Sequence, residues 1–190
     1  MPLHVYVIFA AGWLVWLLPF LLRNRRIPRA QQLDRRARWG VAIQSISYAL
    51  LWQHPFWNKG PADWRVALSI LFFIIGSLFS WTSVRTLGRQ WRIDAGLNAD
   101  HQLVQSGPYR LVRHPIYTSM LCLLLGMGFL VSPMWMLGVA LLVLIIGTQI
   151  RVRIEERLLA GRFGEEFSAY RRRVPAYVPF LKLSGGVAQT

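Results

Sequence analysis

Residues 115–150 form a run of 36 without an aspartate, glutamate, lysine or arginine. No other feature restricts the fold so strongly. As a single helix the run would be about 54 Å long at ~1.5 Å per residue. The hydrocarbon core of a bilayer is only about 30 Å thick. The run must therefore turn back, and Ser132-Pro133 in its middle is the natural turn. Two legs result, residues 116–131 and 134–150. Pro115 suits the first position of a helix, where a missing N–H costs nothing. Polar, basic and aromatic residues gather at both feet of this hairpin: residues 101–117 before it, and Arg151 to Glu156 after it.

The rest of the chain repeats the pattern. It is 54% hydrophobic and 16% charged, with the apolar residues in long blocks, so an all-α integral membrane protein is expected and a water-soluble globule is not. Residues 3–22 carry no formal charge and are long enough for one span. A signal peptide would need a basic start and a small-residue cleavage site, so the run reads as a retained helix. Further spans are expected at residues 40–57 and 66–84, separated by a turn at 58–63. That makes five spans in a single domain, 1–190, with a cytoplasmic helical tail over 151–190.

Formal net charge is +14, from 22 Lys and Arg against 8 Asp and Glu. The basic residues lie in blocks between apolar runs, the pattern of cytoplasmic loops and not of a nucleic-acid surface. Their placement predicts an external N-terminus and a cytoplasmic C-terminus, in the plasma membrane if the chain is prokaryotic. Trp39, Trp57, Trp64 and Trp81 near span ends suit an interfacial belt. The segment over 85–114 holds Gly88, Gly96, Gly107 and Pro108 and reads as a structured loop with short helical pieces. The single cysteine, Cys122, excludes an intrachain disulfide, and no Cys/His metal pattern exists.

Two clusters can carry chemistry. In the tail, Arg151 and Glu155 are four apart and share a helix face. Leu158, Leu159, Phe163 and Phe167 give that helix an apolar side. As a surface ion pair, Arg151 and Glu155 would contribute only about 0.3–0.5 kcal/mol. In the loop, Tyr109, His114 and Tyr117 form the second cluster, and His114 and Tyr117 can share a face. If residues 115–150 are a hairpin, His114 and Arg151 return to the same membrane face. A cationic ligand would then meet tyrosine rings, a carboxylate and basic groups.

The pattern His-x-Leu-Val-x-Ser-Gly-Pro-Tyr-Arg-x-x-Arg-His-Pro-x-Tyr, His101 to Tyr117 here, resembles the isoprenylcysteine carboxyl methyltransferases and their prokaryotic relatives. The tail, Arg151 through Pro175, is similar to that family's second block. Together the blocks cover roughly the C-terminal half. The resemblance implies a membrane methyltransferase that uses S-adenosyl-L-methionine without a Rossmann domain. It implies cofactor binding by His101, Gln102, Leu103, Val104, Tyr109, His114, Pro115, Ile116, Tyr117 and Glu155, and it places Arg151 on the acceptor side. Ile116 stands where the eukaryotic enzymes have serine, Ser119 where glycine is usual, and Asp94 where an upstream glutamine is expected.

The expected acceptor is lipophilic, enters from the bilayer and carries a carboxylate, which needs no general base because it is ionised at neutral pH. Arg151 can grip it through its planar fork. An amine acceptor, as in the related phospholipid N-methyltransferases, would have to lose a proton, with Glu156 or His114 as candidate base. Sterol reductases share parts of the tail. The alternatives outside enzymes are a scaffold whose basic loops hold anionic membrane lipid and a transporter, which the apolar spans disfavour. Neither a metal nor a nucleic-acid partner is expected.

Overall fold

A computed structural model describes residues 2–23, 32–52, 60–98 and 100–179. Five helices carry the fold: α1 (Leu3–Leu21), α2 (Ala37–Ala49), α3 (Asp63–Leu87), α4 (Pro115–Val131) and α5 (Met134–Arg173). Among them α1, α3 and α5 are long and apolar enough to cross a membrane, and α4 is a shorter apolar helix. The chain is an all-α membrane protein. Much of its apolar surface faces outward, as a lipid solvent permits; Leu14, Leu78 and Leu142 are all exposed.

Without water to expel, membrane helices associate by close packing and buried polar contacts. Small residues set the approaches. Gly76 of α3 lies so near α4 that an added Cβ would sit 3.1 Å from the Cys122 Cβ and from the Ser119 carbonyl. One turn-spaced set on α3, Ser69, Ser77, Ser80 and Ser83, is buried. Ser69 donates to the Gly126 carbonyl of α4 at 2.7 Å, and Ser80 to the Trp16 carbonyl of α1 at 2.8 Å. Trp16 in turn donates its indole N–H to Ser119 Oγ at 3.1 Å. Gly40 of α2 faces Gly147 of α5, and Gln44 donates to Thr148 Oγ1 at 2.9 Å across the same contact. The apolar core lies between these contacts, with Leu123, Leu124, Met127 and Leu130 of α4 at its centre.

The uncharged run turns at Ser132 and Pro133, between α4 and α5. At this end Arg65 of α3 donates to the carbonyls of Gly128 and Ser132, and so closes the last turn of α4. Pro115 opens α4 at its first position.

Three features differ from the sequence reading. First, α5 continues through the junction at 150–151 as a single 40-residue element; its break falls at Gly164, with φ +50° and ψ −120°. Polarity changes at Arg151, but no glycine, proline or cap stands there to end a helix. Second, α2 has 13 residues and ends at Ala49. The remainder of the expected second span, and Asn58 and Lys59 of the expected turn, lie largely outside the described residues. Third, the loop after α3 contains two 3₁₀ turns, Gly88–Gln90 and Gly107–Arg110, and also a short strand. Strands β1 (Gln32–Leu33) and β2 (Gly96–Leu97) pair antiparallel. That pairing joins the segment after α1 to the segment after α3, and no local signal announces it.

Arg23, just past α1, strengthens the same junction. Its guanidinium lies 4.8 Å from the Trp91 ring centroid, and it donates to the carbonyls of Trp91 and Gly88. Residues 174–177 then return beneath α4. Arg113 N–H donates to the Pro175 carbonyl at 2.9 Å, and His114 N–H to the Ala176 carbonyl at 2.8 Å. Thr118 Oγ1 donates to the Tyr177 carbonyl at 2.6 Å. The strap thus holds the two residues that lead into α4 and a side chain of its first turn.

Candidate active site

A cavity of about 400 Å³ opens where the last turns of α1 and α3, the loop between α3 and α4, the first turns of α4 and the polar half of α5 converge. His101, Gln102, Leu103, Val104, Tyr109, His114, Ile116 and Tyr117 all line it, with Arg151 and Glu155 opposite. The hairpin brings these two sequence blocks together, because both flank the same uncharged run. Pro115 is fully buried and is not on the wall. Its contribution is to start the helix that carries Ile116 and Tyr117.

Glu155 is the meeting point. Tyr117 donates its hydroxyl to Glu155 Oε1, and Arg151 Nη2 donates to the same oxygen at 3.2 Å. His114 Nδ1 stands 3.5 Å from Glu155 Oε2. The Arg151 guanidinium lies 5.4 Å from the Tyr117 ring centroid, and the His114 and Tyr117 rings stack at 5.6 Å. Arg151 also donates to the Ile93 carbonyl at 2.6 Å. Its aliphatic stem rests on α2: a Cβ at Gly40 would collide with Arg151 Cγ.

Glu156 points elsewhere. It is buried and stands outside the cavity wall. Arg113 donates to its Oε1 through Nε at 2.9 Å and Nη2 at 2.6 Å. His114 Nε2 reaches the same oxygen at 3.3 Å, and Arg171 Nε lies 3.5 Å from Oε2. His114 thus spans two adjacent carboxylates, one on each ring nitrogen. Burial alone would lower its pKa, but Glu155 and Glu156 outweigh that and raise it. Burial would raise the pKa of Glu156, yet His114 and Arg113 bring it down to about 2.

The far wall is a second ion pair. Arg92 grips Asp94 through Nε at 2.9 Å and Nη2 at 3.1 Å, and donates to Asn98 at 2.7 Å. The hydrogen bond from Arg92 holds Asp94 below the usual carboxylate range. Three lining side chains keep a buried polar atom without a partner: Gln90 Oε1, His101 Nδ1 and Arg151 Nε. Buried polar atoms are costly to leave unsatisfied, and these three belong to residues that line one cavity.

Several lining residues carry no role in the sequence reading. Trp16, Leu17 and Phe20 line the cavity from α1. Nothing in residues 3–22 marks them, because their position depends on how α1 packs against α3 and α4. Phe167 and Tyr170 roof the cavity from beyond the Gly164 break, with Tyr170 donating to the Tyr109 carbonyl at 2.7 Å. Arg113 stands inside the first motif, one residue before His114. Its adjacency to that histidine was the available signal.

The family model for phospholipid methyltransferases matches residues 64–166. Among curated proteins, the cobalt-zinc-cadmium resistance protein CzcN of Cupriavidus metallidurans is 32% identical over 149 residues, which are 78% of this chain and 65% of that protein. The nickel-cobalt-cadmium resistance protein NccN of Alcaligenes xylosoxydans is 27% identical over 146 residues, 76% of this chain and 64% of that protein. The protein-S-isoprenylcysteine O-methyltransferase B of Arabidopsis thaliana is 30% identical over 121 residues, 62% of this chain and 61% of that protein. The matched part of the chain spans less than two thirds of the length of each of these relatives.

Proposed function

The chain belongs to the phospholipid methyltransferase family, and on that premise we propose that it transfers a methyl group from S-adenosyl-L-methionine to the carboxylate of a lipophilic acceptor at the membrane. The observation that carries this reading is the convergence of both motif blocks on one cavity that opens beside the apolar helices. Its volume falls within the roughly 300–1,000 Å³ usual for small-molecule sites.

The donor set fits that cofactor. Glu155 offers a carboxylate to an α-ammonium, and the Tyr109 and Tyr117 rings suit a sulfonium. Gln90 Oε1 and His101 Nδ1 are buried polar atoms in need of partners. Bound there, S-adenosyl-L-methionine supplies an electrophilic methyl group. The residues of this chain have to align the acceptor with that methyl, since in-line displacement depends above all on orientation. Arg151 suits the acceptor carboxylate: its guanidinium is fixed by Tyr117, Glu155 and the Ile93 carbonyl, and its Nε remains without a partner. Trp16, Leu17, Phe20, Ile116 and Met120 suit the apolar part. The acceptor enters from the bilayer and the cofactor from the cytoplasm, with the N-terminus outside and the C-terminus in the cytoplasm. For a prokaryotic chain the membrane is the plasma membrane.

The names of the isoprenylcysteine relatives support oxygen as the methylated atom. The description of the family model favours a second reading, an amine acceptor on a phospholipid. Two relatives carry metal-resistance names, which describe those proteins. The deciding experiment incubates the purified protein with isotopically labelled S-adenosyl-L-methionine and membrane extracts, then locates the label by mass spectrometry. Label in a base-labile methyl ester is the expected result. Label on an amine selects the second reading, and absence of transfer to any lipid or peptide refutes both.

A further inference from the structure

Glu156 is the most heavily engaged carboxylate among the described residues, yet it does not itself line the cavity and meets it only through Arg113 and His114. A general base must reach the proton it removes and must be free to take it. Glu156 satisfies neither condition. It is buried, and Arg113, His114 and Arg171 surround its two oxygens.

We infer that Arg113 and Glu156 are positioning residues, a clamp that holds the His114 ring with one nitrogen on each of two adjacent carboxylates and thereby aims Glu155 into the cavity. The inference rests on the reading of Glu155 as the group that meets the cofactor.

The geometry supports the clamp in three ways. His114 has a single arrangement that serves both carboxylates, Nδ1 toward Glu155 Oε2 at 3.5 Å and Nε2 toward Glu156 Oε1 at 3.3 Å. Only an imidazolium can donate from both nitrogens at once, so the clamp requires the doubly protonated ring. Arg113 grips Glu156 through two nitrogens and uses its third, Nη1, on the carbonyls of Arg171 and Val174. The clamp is thereby fastened to the end of α5 and to the strap of residues 174–177. Finally, the backbone N–H groups of Arg113 and His114 are both held by that strap. The strap fixes the backbone from which the ring projects, and the ring itself cannot swing without losing Glu155, Glu156 and the Tyr117 stack. The groups facing His114 are Glu155 and Glu156 from α5, Tyr117 from α4, and Arg113 beside it, with Arg151 and Arg171 one residue further out.

The test compares the wild type with Glu156→Gln and Glu156→Asp in detergent. Isothermal calorimetry gives affinity for S-adenosyl-L-methionine, steady-state assays give turnover at saturating cofactor, and ¹⁵N-histidine spectra follow protonation. The chain has four histidines, His4, His54, His101 and His114, so substituting the other three in turn assigns the signal. In the wild type, His114 should carry protons on both nitrogens at pH 7.5. In Glu156→Gln its titration should move down by about one unit or more, a tenfold change in proton affinity. Cofactor affinity should fall about tenfold, while turnover at saturation stays within about twofold. Glu156→Asp should recover part of the affinity.

A hundredfold loss of turnover with unchanged cofactor affinity would make Glu156 a base and overturn the clamp. Unchanged affinity and unchanged histidine titration would overturn it as well. Should Glu156→Gln not fold, the wild-type spectrum decides: a neutral, single-tautomer His114 at pH 7 refutes the arrangement. A wild-type protein that binds no S-adenosyl-L-methionine refutes the proposed function instead, and the histidine titration still tests the clamp separately.

Discussion

Replacing Gly147 by alanine adds a single methyl group at a close contact between α2 and α5. The new Cβ would sit 2.9 Å from the Gly40 carbonyl oxygen, 2.9 Å from the Gln44 nitrogen and 3.0 Å from Gln44 Cγ, where ordinary contacts begin at 3.4 Å. Two of these three atoms are backbone, so a side-chain rotation cannot relieve the clash. Helix α2 must retreat by about half an ångström, and overpacking of this kind costs about 1–3 kcal/mol. The retreat also stretches the buried Gln44–Thr148 hydrogen bond, now 2.9 Å. On the scale of soluble domains of this size, roughly 2–4 °C per kcal/mol, a loss of about 2 kcal/mol lowers the melting temperature by about 4–8 °C. The control is on the same helix: a Cβ at Gly138 meets nothing within 4 Å. Gly138→Ala should leave stability unchanged or raise it, because alanine is the better helix former by about 1 kcal/mol. The single cysteine makes the assay simple. Cys122 is buried in α4, so a thiol-reactive fluorophore reports unfolding in detergent. If Gly147→Ala melts with Gly138→Ala, the close approach of α2 and α5 is wrong.

Glu155→Gln keeps the shape of the side chain and removes its charge; a hydrogen bond to a charged group is worth roughly 1.5–3 kcal/mol, so calorimetry should show a ten- to hundredfold loss of cofactor affinity, and no loss removes Glu155 from the site. Arg151→Lys retains the charge and loses the planar fork; turnover should fall sharply while cofactor affinity changes little, and intact turnover with a carboxylate acceptor would sink the proposed grip. Acid should loosen the protein through Glu156. Its folded pKa is depressed to about 2 by His114 and Arg113 against the pull of burial. The stability it contributes is therefore full above about pH 4.5 and is lost as pH falls toward 2. His114 has the opposite sign: its pKa is raised, so its contribution is present below about pH 6.5 and is lost as pH rises through the folded value. Melting curves across pH should show both flanks in the wild type and a flatter profile in Glu156→Gln; identical profiles would contradict the pairing. For topology, a reporter fused after Thr190 should read cytoplasmic and one inserted near Lys59 external, and two reporters on one side would overturn the orientation.

The primary structure by itself determined the membrane class, the hairpin and the identity of the two blocks at its feet. The reason is physical: 36 residues without formal charge cannot lie extended across about 30 Å of hydrocarbon, and Ser132-Pro133 is where such a run can turn. Once it turns, His114 and Arg151 must return to one face. The spacing of Arg151 and Glu155 likewise ensured that both point the same way from a helix. Tertiary structure decided the rest. That α5 continues past Ile150 was not written in the polarity pattern, since a change of polarity carries no instruction to end a helix, and the break falls at Gly164, where glycine tolerates a positive φ. The pairing of β1 with β2, and the α1 residues on the cavity wall, arise from contacts between segments far apart in the chain. The division of labour between Glu155 and Glu156 is the clearest case. In sequence they are equivalent neighbours, but successive helix positions are rotated by roughly 100°. One therefore faces the cavity while the other faces Arg113, and only the packed structure tells which is which.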